Sequence, residues 1–316
     1  MRFIVTAIIG FSLFFTAVVS AQNCCAPTVP QQGVLGETVA LPHTLEIGLH
    51  YEYLRSRRMY EGSKEVDNPG NTKTDWKRAT LTAAYGIVPG FSISTIIPYT
   101  GKKKTKDIVT TRWHIENSAA GIGDISLFLR FSPLSRSFVT FRELSFSLGV
   151  KLPTGAIDRR DFGFLLSQEL QPGTGSWDYQ GLLSFYQGFE LADLVLSGTY
   201  VLTTPHDGYE FSNQFSYLLA ANFHLAEYLD MSAALSGMVR GRDRQDGAEV
   251  HSTGRHQIWF VPGFKVQVIP EVLGFQAYYE KPVYQHFHGT QLGSDYNIRL
   301  TIAYLLPLTK TTEDDS

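Results

Sequence analysis

Cysteine is nearly absent from this chain of 316 residues: the only two, Cys24 and Cys25, are adjacent and lie ahead of every patterned segment. No disulfide framework can therefore hold the fold, and two neighbouring thiols by themselves make a weak metal site. Charge is sparse, at 18% of residues, with 27 Lys+Arg against 30 Asp+Glu and a formal charge of −3. Nothing in that balance calls for nucleic acid as a partner. Past the N-terminus no stretch is long and apolar enough for a membrane helix, which excludes a helical membrane protein.

The N-terminus has what the rest lacks. Arg2 precedes an apolar run from Phe3 to Val19, and Val19-Ser20-Ala21 offers small residues for cleavage before Gln22, so residues 1–21 read as a secretory signal sequence. Ala21-Gln22-Asn23 ahead of Cys24 does not form a lipid-attachment box. Loss of the leader removes only Arg2 among the charged residues, leaving 26 basic and 30 acidic side chains.

The remaining chain repeats one unit about twelve times, a run of roughly ten alternating apolar and polar residues closed by a long polar connection or a tight turn in alternation. In the first run Leu45, Ile47, Leu49, Tyr51 and Tyr53 share one face, while Glu46, Gly48, His50 and Glu52 share the other. Later runs are centred on Ala79–Tyr85, Phe91–Ile97, Ile125–Phe131, Ser145–Lys151, Trp177–Tyr186, Leu194–Leu202, Phe211–Phe223, Met231–Val239, Ile258–Val268, Phe275–Tyr284 and Tyr296–Tyr304. The polar face is mostly Ser, Gly, Gln, Asn and Thr, as suits a confined hydrated lumen better than a surface open to bulk water, which disfavours a soluble β-sandwich.

The fold class expected is all-β, an antiparallel transmembrane β-barrel of about twelve strands in a bacterial outer membrane, with both N- and C-termini periplasmic. Its parts are the signal peptide 1–21, a periplasmic N-terminal segment 22–43, the barrel 44–305 and a periplasmic C-terminal tail 306–316. The longer connections, including 100–120, would face outward. Trp76, Trp113, Trp177 and Trp259 fall near those ends and read as an interfacial belt, with Tyr85, Phe91, Phe131, Phe223 and Tyr304 opposite. Expected partners are outer-membrane lipid and lipopolysaccharide, which Lys102-Lys103-Lys104 could meet, the barrel assembly machinery that reads a final strand such as Tyr296 to Tyr304, and a small-molecule solute. The sequence leaves the oligomeric state open.

Three motifs carry a resemblance. Gly121-Ile122-Gly123-Asp124-Ile125, Lys151-Leu152-Pro153-Thr154-Gly155 and Gln171-Pro172-Gly173-Thr174-Gly175-Ser176-Trp177-Asp178 are together similar, in order and spacing, to the outer-membrane family labelled MetA-pathway of phenol degradation, over most of the chain after the leader. Arg130-Phe131 departs from the Lys-Tyr often found there, keeping charge and aromaticity. The resemblance implies a porin-like channel or uptake protein with aromatic compounds as suggested cargo.

Candidate lumen residues, inward in the assigned register, are Glu46, Glu52, Asp124, Arg130, Lys151, Asp178, Lys265, Glu280 and Arg299. Such side chains either orient a passing solute or form a salt-bridge network across the barrel. The glycines of the motifs either shape the mouth or present Asp124, Lys151 and Asp178 as an entrance of mixed charge. In the segment 153–176, Phe162, Phe164, Leu165 and Leu166 make either a lumen constriction or a patch packed on the rim. A plugged barrel working through its loops is the alternative to transport. A hydrolase built on Ser252 with His251 and His256 lacks any oxyanion-hole signature, so no enzyme is expected, and the spacing of His114, His206, His251, His256, His286 and His288 matches no metal site, so neither metal nor cofactor is expected.

Overall fold

The computed structural model describes residues 39–108, 113–134 and 141–308. The expected leader 1–21, Cys24 and Cys25, the tail from 309 onward and the side chains of Trp113 and His114 lie outside the described residues. Eleven antiparallel runs close a ring: β1 (Thr44–Gly62), β2 (Lys73–Val88), β3 (Phe91–Ile108), β4 (Ser126–Leu134), β5 (Arg142–Lys151), β6 (Asp178–Gly188), β7 (Ala192–Leu202), β8 (Gln214–Ala226), β9 (Leu229–Arg240), β10 (Arg255–Ile269) and β11 (Leu273–Pro307). Each pairs with its neighbour in the chain, and β11 returns to β1 with Pro307 opposite Thr44 and Ile298 opposite Tyr53. Two further runs of the same sheet stand outside the ring, Lys64–Val66 against β1 and Trp113–Ile122 against the far part of β3.

β11 has 35 residues and would be about 115 Å long if straight. Instead it folds back on itself. Arg299 and Asn297 both reach Glu280, and Gln285 accepts the backbone N–H of Ser294 at 2.8 Å. The bend falls at His288-Gly289, where Gly289 adopts φ 73°. Its first arm pairs with β10 and its second with β1, so with the arms counted apart the wall has twelve staves. An even number returns the chain to the end at which it entered the ring.

Alternation sets the two faces. In β4, Ser126, Phe128 and Arg130 are buried within the barrel, whereas Leu127, Leu129 and Phe131 are 45%, 54% and 52% exposed on its outside. The ring pairs the backbone N–H and C=O groups of its strands along the wall, so the outer face presents apolar side chains to lipid without open sheet edges. Small residues make room for rings: inside, Phe128 lies opposite Gly149 and Tyr278 opposite Gly263, and on the outer face Tyr217 lies opposite Gly237. A Cβ on Gly149 would come within 2.2 Å of the Phe128 ring.

One end of the barrel carries tight turns, between Val88 and Phe91, Gly188 and Ala192, Ala226 and Leu229, and Ile269 and Leu273. Phe131, Phe223 and Tyr304 are exposed on the outer face near this end. The chain ahead of β1 tucks into the same end: Val39 and Ala40 are buried, and the Val39 N–H donates to Glu143 Oε1 at 2.7 Å. At the opposite end the expected loops are in part strand. The segment 100–120 continues the ladder of β3 to Ile108 and returns along Trp113–Ile122, and the connection from Tyr284 to Tyr296 is the tip of the β11 hairpin. Polar residues on both faces hide such extensions in the sequence, because above the membrane neither side must be apolar.

That extension corrects two readings. Trp76 and Trp259 point into the barrel and are buried, on the register of Arg78 and Gln257; of the tryptophan side chains described, Trp177 alone is exposed. Lys102 and Lys104 also point inward, and the outward Lys103 pairs with Glu116 at 2.7 Å, so the three lysines do not present one basic surface.

Gly149→Ala is expected to lower stability by about 1–3 kcal/mol through overpacking against Phe128, read as a lower urea midpoint in detergent micelles, with partial recovery in the Gly149→Ala, Phe128→Ala double variant. Parent-like stability of the single variant would refute the contact.

Candidate functional site

The three glycine motifs meet at the long-loop end. Lys151, the last residue of β5, stands beside Ser126 of β4 and Asp178 of β6 in the ladder. Its ammonium contacts the carboxylate of Asp178 and the Thr174 hydroxyl, and lies 3.3 Å from Asp124. Asp124 accepts the N–H groups of Gly155 and Thr174, each at 2.9 Å, and the Thr174 hydroxyl at 2.7 Å. Ser176 donates to Asp178 at 2.9 Å. The carboxylates are thus met by one cation and several donors, as buried charge requires. Gly155 and Gly173 face each other so closely that a Cβ on Gly173 would lie 2.4 Å from the Gly155 carbonyl oxygen. Asp124, Lys151 and Asp178 come together, but as a lock that fastens the β5–β6 loop rather than as a ring of separated charges.

A second clamp holds the same loop. Lys102 donates to the carbonyl oxygens of Glu169 and Gln171, both at 2.9 Å, and Lys104 meets the Glu169 carboxylate at 2.6 Å. Gln171 is 1% exposed and ties Arg159 and Leu166 to the inserted turn. Hence the loop enters the mouth through Gln168 and Gln171 to Thr174, which line the cavity below it. Its apolar tip does otherwise. Phe162, Phe164 and Leu165 are exposed on a small hairpin, Arg160–Asp161 against Phe164–Leu165, and Leu166 alone is buried. The polar stem had backbone partners to find inside the mouth, whereas Phe162 and Gly163 adopt positive φ and turn the tip away.

The cavity under the loop has a volume of about 290 Å³. Of the candidate residues, Glu52, Asp124, Lys151, Asp178 and Arg299 line it. Arg299 bridges Glu52 at 3.4 Å and Glu280, and Arg78 lies 3.5 Å from the other Glu52 oxygen, so these residues form a cross-barrel network as well as a wall. Glu280 stands behind Arg299. Glu46 and Arg130 are buried nearer the tight-turn end, where Arg130 donates to Ser147 at 3.0 Å. Lys265 is half-buried opposite Asp230, close to the β10–β11 turn and away from the cavity. Sequence reasoning missed Arg78, Lys102 and Arg240, which also line the cavity; the first two were legible from parity, since they share the register of Thr80, Thr82 and Thr100.

Below the cavity, toward the tight turns, an apolar cluster forms among the inward residues of β6 to β11, beside polar Ser184, Asn222, Ser232 and Gln276. Tyr186, Val195, Ala234, Met238, Trp259 and Tyr278 belong to one buried cluster against which Leu218 packs. The lumen therefore carries an apolar cluster on the β6 to β11 side, while Glu46, Arg130 and Glu143 keep charge buried toward the tight turns on the other side. The loop residues first weighed for hydrolysis do not assemble: Ser252 is buried, and His256 directs Nε2 to the Tyr217 hydroxyl at 3.3 Å. Among the described residues no group of three or more His, Cys, Asp or Glu is placed to hold a metal.

With this geometry in hand, residues 71–296 match the model of the family described as MetA-pathway of phenol degradation. The chain belongs to that family. Within solved structures, the COG4313 outer membrane channel from Pseudomonas putida F1 superimposes with a TM-score of 0.70 at 14% identity, covering 86% of this chain and 98% of the other. A KdgM porin matches with a TM-score of 0.44 at 6% identity over 82% of this chain and 98% of that one. No curated protein matches the sequence. This MetA-pathway family member is an outer-membrane β-barrel, with its apolar belt outside and its polar residues inside.

Lys151→Met should destabilise the barrel by about 3–5 kcal/mol, because Asp124 and Asp178 would remain buried beside each other without their cation. Unfolding in urea measures this, and Lys151→Arg should recover much of the loss.

Proposed function

We propose that this barrel is a channel for passive uptake of small solutes across the outer membrane, with aromatic or hydrophobic compounds as cargo. The observation that carries the reading is the cavity within a closed wall, covered by the loop from β5 to β6 and lined by both charged and apolar side chains. Family membership and the likeness to a protein named as an outer membrane channel support it. Short turns belong to the periplasmic side of such barrels, which supports a periplasmic position for both ends of the ring, Thr44 and Pro307. The outer belt then meets membrane lipid and lipopolysaccharide, and the second arm of β11, with Ile298, Leu300 and Ile302 outward, is the segment offered to the assembly machinery.

Passage needs no chemistry from the protein. The diameter left by the inserted loop sets the size limit, and the charged wall orients the solute. A second reading, a plugged barrel acting through its loops, draws on the two chain segments that enter the lumen, the β5–β6 loop at one end and Val39-Ala40 at the other.

Planar-bilayer recording on the refolded protein separates the two. Discrete conductance steps, interrupted by small aromatic acids or alcohols, are expected; a folded, heat-modifiable barrel that stays silent would move the assignment to the plugged reading. Lys102→Met with Lys104→Met should enlarge the steps, because the loop loses its second clamp while the Lys151 lock stays.

A further inference from the structure

Five cationic side chains line the cavity, Arg78, Lys102, Lys151, Arg240 and Arg299, against three carboxylates, Glu52, Asp124 and Asp178. The two carboxylates closest to Lys151 are spent on it. Asp243 and Glu280, which pair with Arg240 and Arg299, stand behind them and outside the cavity wall. What a solute meets is consequently weighted toward positive charge, although the barrel as a whole is not basic.

The cations are also placed for an aromatic guest. The Trp76 ring stacks against two of them, with the Arg78 guanidinium carbon 4.4 Å and the Lys102 ammonium 5.2 Å from its centroid. Arg240 lies 5.3 Å from the centre of the Phe211 ring, which also lines the cavity. These contacts fix the cations against apolar surface, where a charge-assisted hydrogen bond is stronger than in water. Two buried donors in the same wall, Trp76 Nε1 and Thr199 Oγ1, have no hydrogen-bond partner among the described residues. At about 290 Å³ the space suits a single-ring molecule, close to the lower bound of roughly 300 Å³ for small-molecule sites.

We propose that this cavity is a binding site for amphipathic organic anions, aromatic carboxylates in particular, whose carboxylate faces Arg78 and Lys102 and whose ring packs on the apolar side chains of the same wall, Ile96, Pro98, Val201 and Phe211. The proposal rests on the channel reading and narrows its cargo: among rings of equal size the anion is retained, the neutral analogue passes weakly held and the cation is disfavoured. Glu52, beside both Arg78 and Arg299, keeps the guanidiniums in place and limits how tightly a carboxylate is held, as passage requires.

The test is binding of benzoate, benzamide and benzylamine to the purified barrel in detergent micelles by isothermal titration calorimetry at neutral pH, with conductance recorded on the same preparation. Benzoate should bind at least about tenfold tighter than benzamide, the contribution of one charge-assisted hydrogen bond, with benzylamine weakest. Arg78→Gln and Lys102→Gln should each shrink the benzoate preference toward unity, and Arg78→Lys should retain part of it; heat-modifiable migration on gels identifies the folded variants. Equal binding of benzoate and benzamide by the unaltered protein, a preference for benzylamine, or a benzoate preference surviving both glutamine variants would overturn the site. A silent barrel that still prefers benzoate supports the site and removes the channel, whereas a conducting barrel without the preference removes the site and leaves the channel.

Discussion

Backbone hydrogen bonding in a medium without water is the constraint on which the rest of this structure depends. Each strand inside the hydrocarbon layer must give its N–H and C=O groups to neighbours on both sides, and that is possible only because the second arm of β11 returns to β1 along its whole length. Closure then forces the alternation of side chains into two environments. Leu127, Leu129 and Phe131 go to lipid because Ser126, Phe128 and Arg130 go to the lumen. The lipid-facing half gains little specificity from its apolar contacts, so the information that distinguishes this barrel is concentrated inside.

The interior solves a charge problem before it can serve a solute. Asp124, Asp178, Glu52 and Glu280 would each be costly if buried alone, and each is met by a cation from another strand or, for Glu280, from the other arm of β11. The network does two things at once. It fastens the β5–β6 loop in the mouth through Lys151, with Lys102 and Lys104 as a second anchorage, and it leaves Arg78 and Arg299 facing the cavity. The anchorage of the loop and the wall of the cavity therefore share residues. The apolar cluster on β6 to β11 completes the arrangement by giving the lumen two sides of different polarity.

Much of this was legible in the chain. The ring strands fall where period-two alternation puts them, and the inward parity of Glu52, Asp124, Lys151, Asp178 and Arg299 follows from it. The signals failed where lipid no longer imposes a pattern. Beyond the membrane β3 keeps its ladder without apolar alternation, so Lys102 to Lys104 looked like a loop; the inward placement of Trp76 and Trp259 was obscured because proximity to a loop was weighed above parity. Phe162, Phe164 and Leu165 look buried by composition and are not, since the turn at Phe162-Gly163 carries them outward.

The sequence by itself determined the class of fold and the two faces of each strand, because alternation is a local property and lipid enforces it residue by residue. It also determined which end carries the tight turns, through the lengths of the connections. Tertiary structure alone decided what meets what across the lumen. That Lys151 joins Asp124 to Asp178, that the polar stem of a loop and not its apolar tip enters the mouth, and that cations from five strands meet at one cavity are consequences of ring closure and strand register, which bring together residues from tens to about two hundred positions apart and leave no local mark in the sequence.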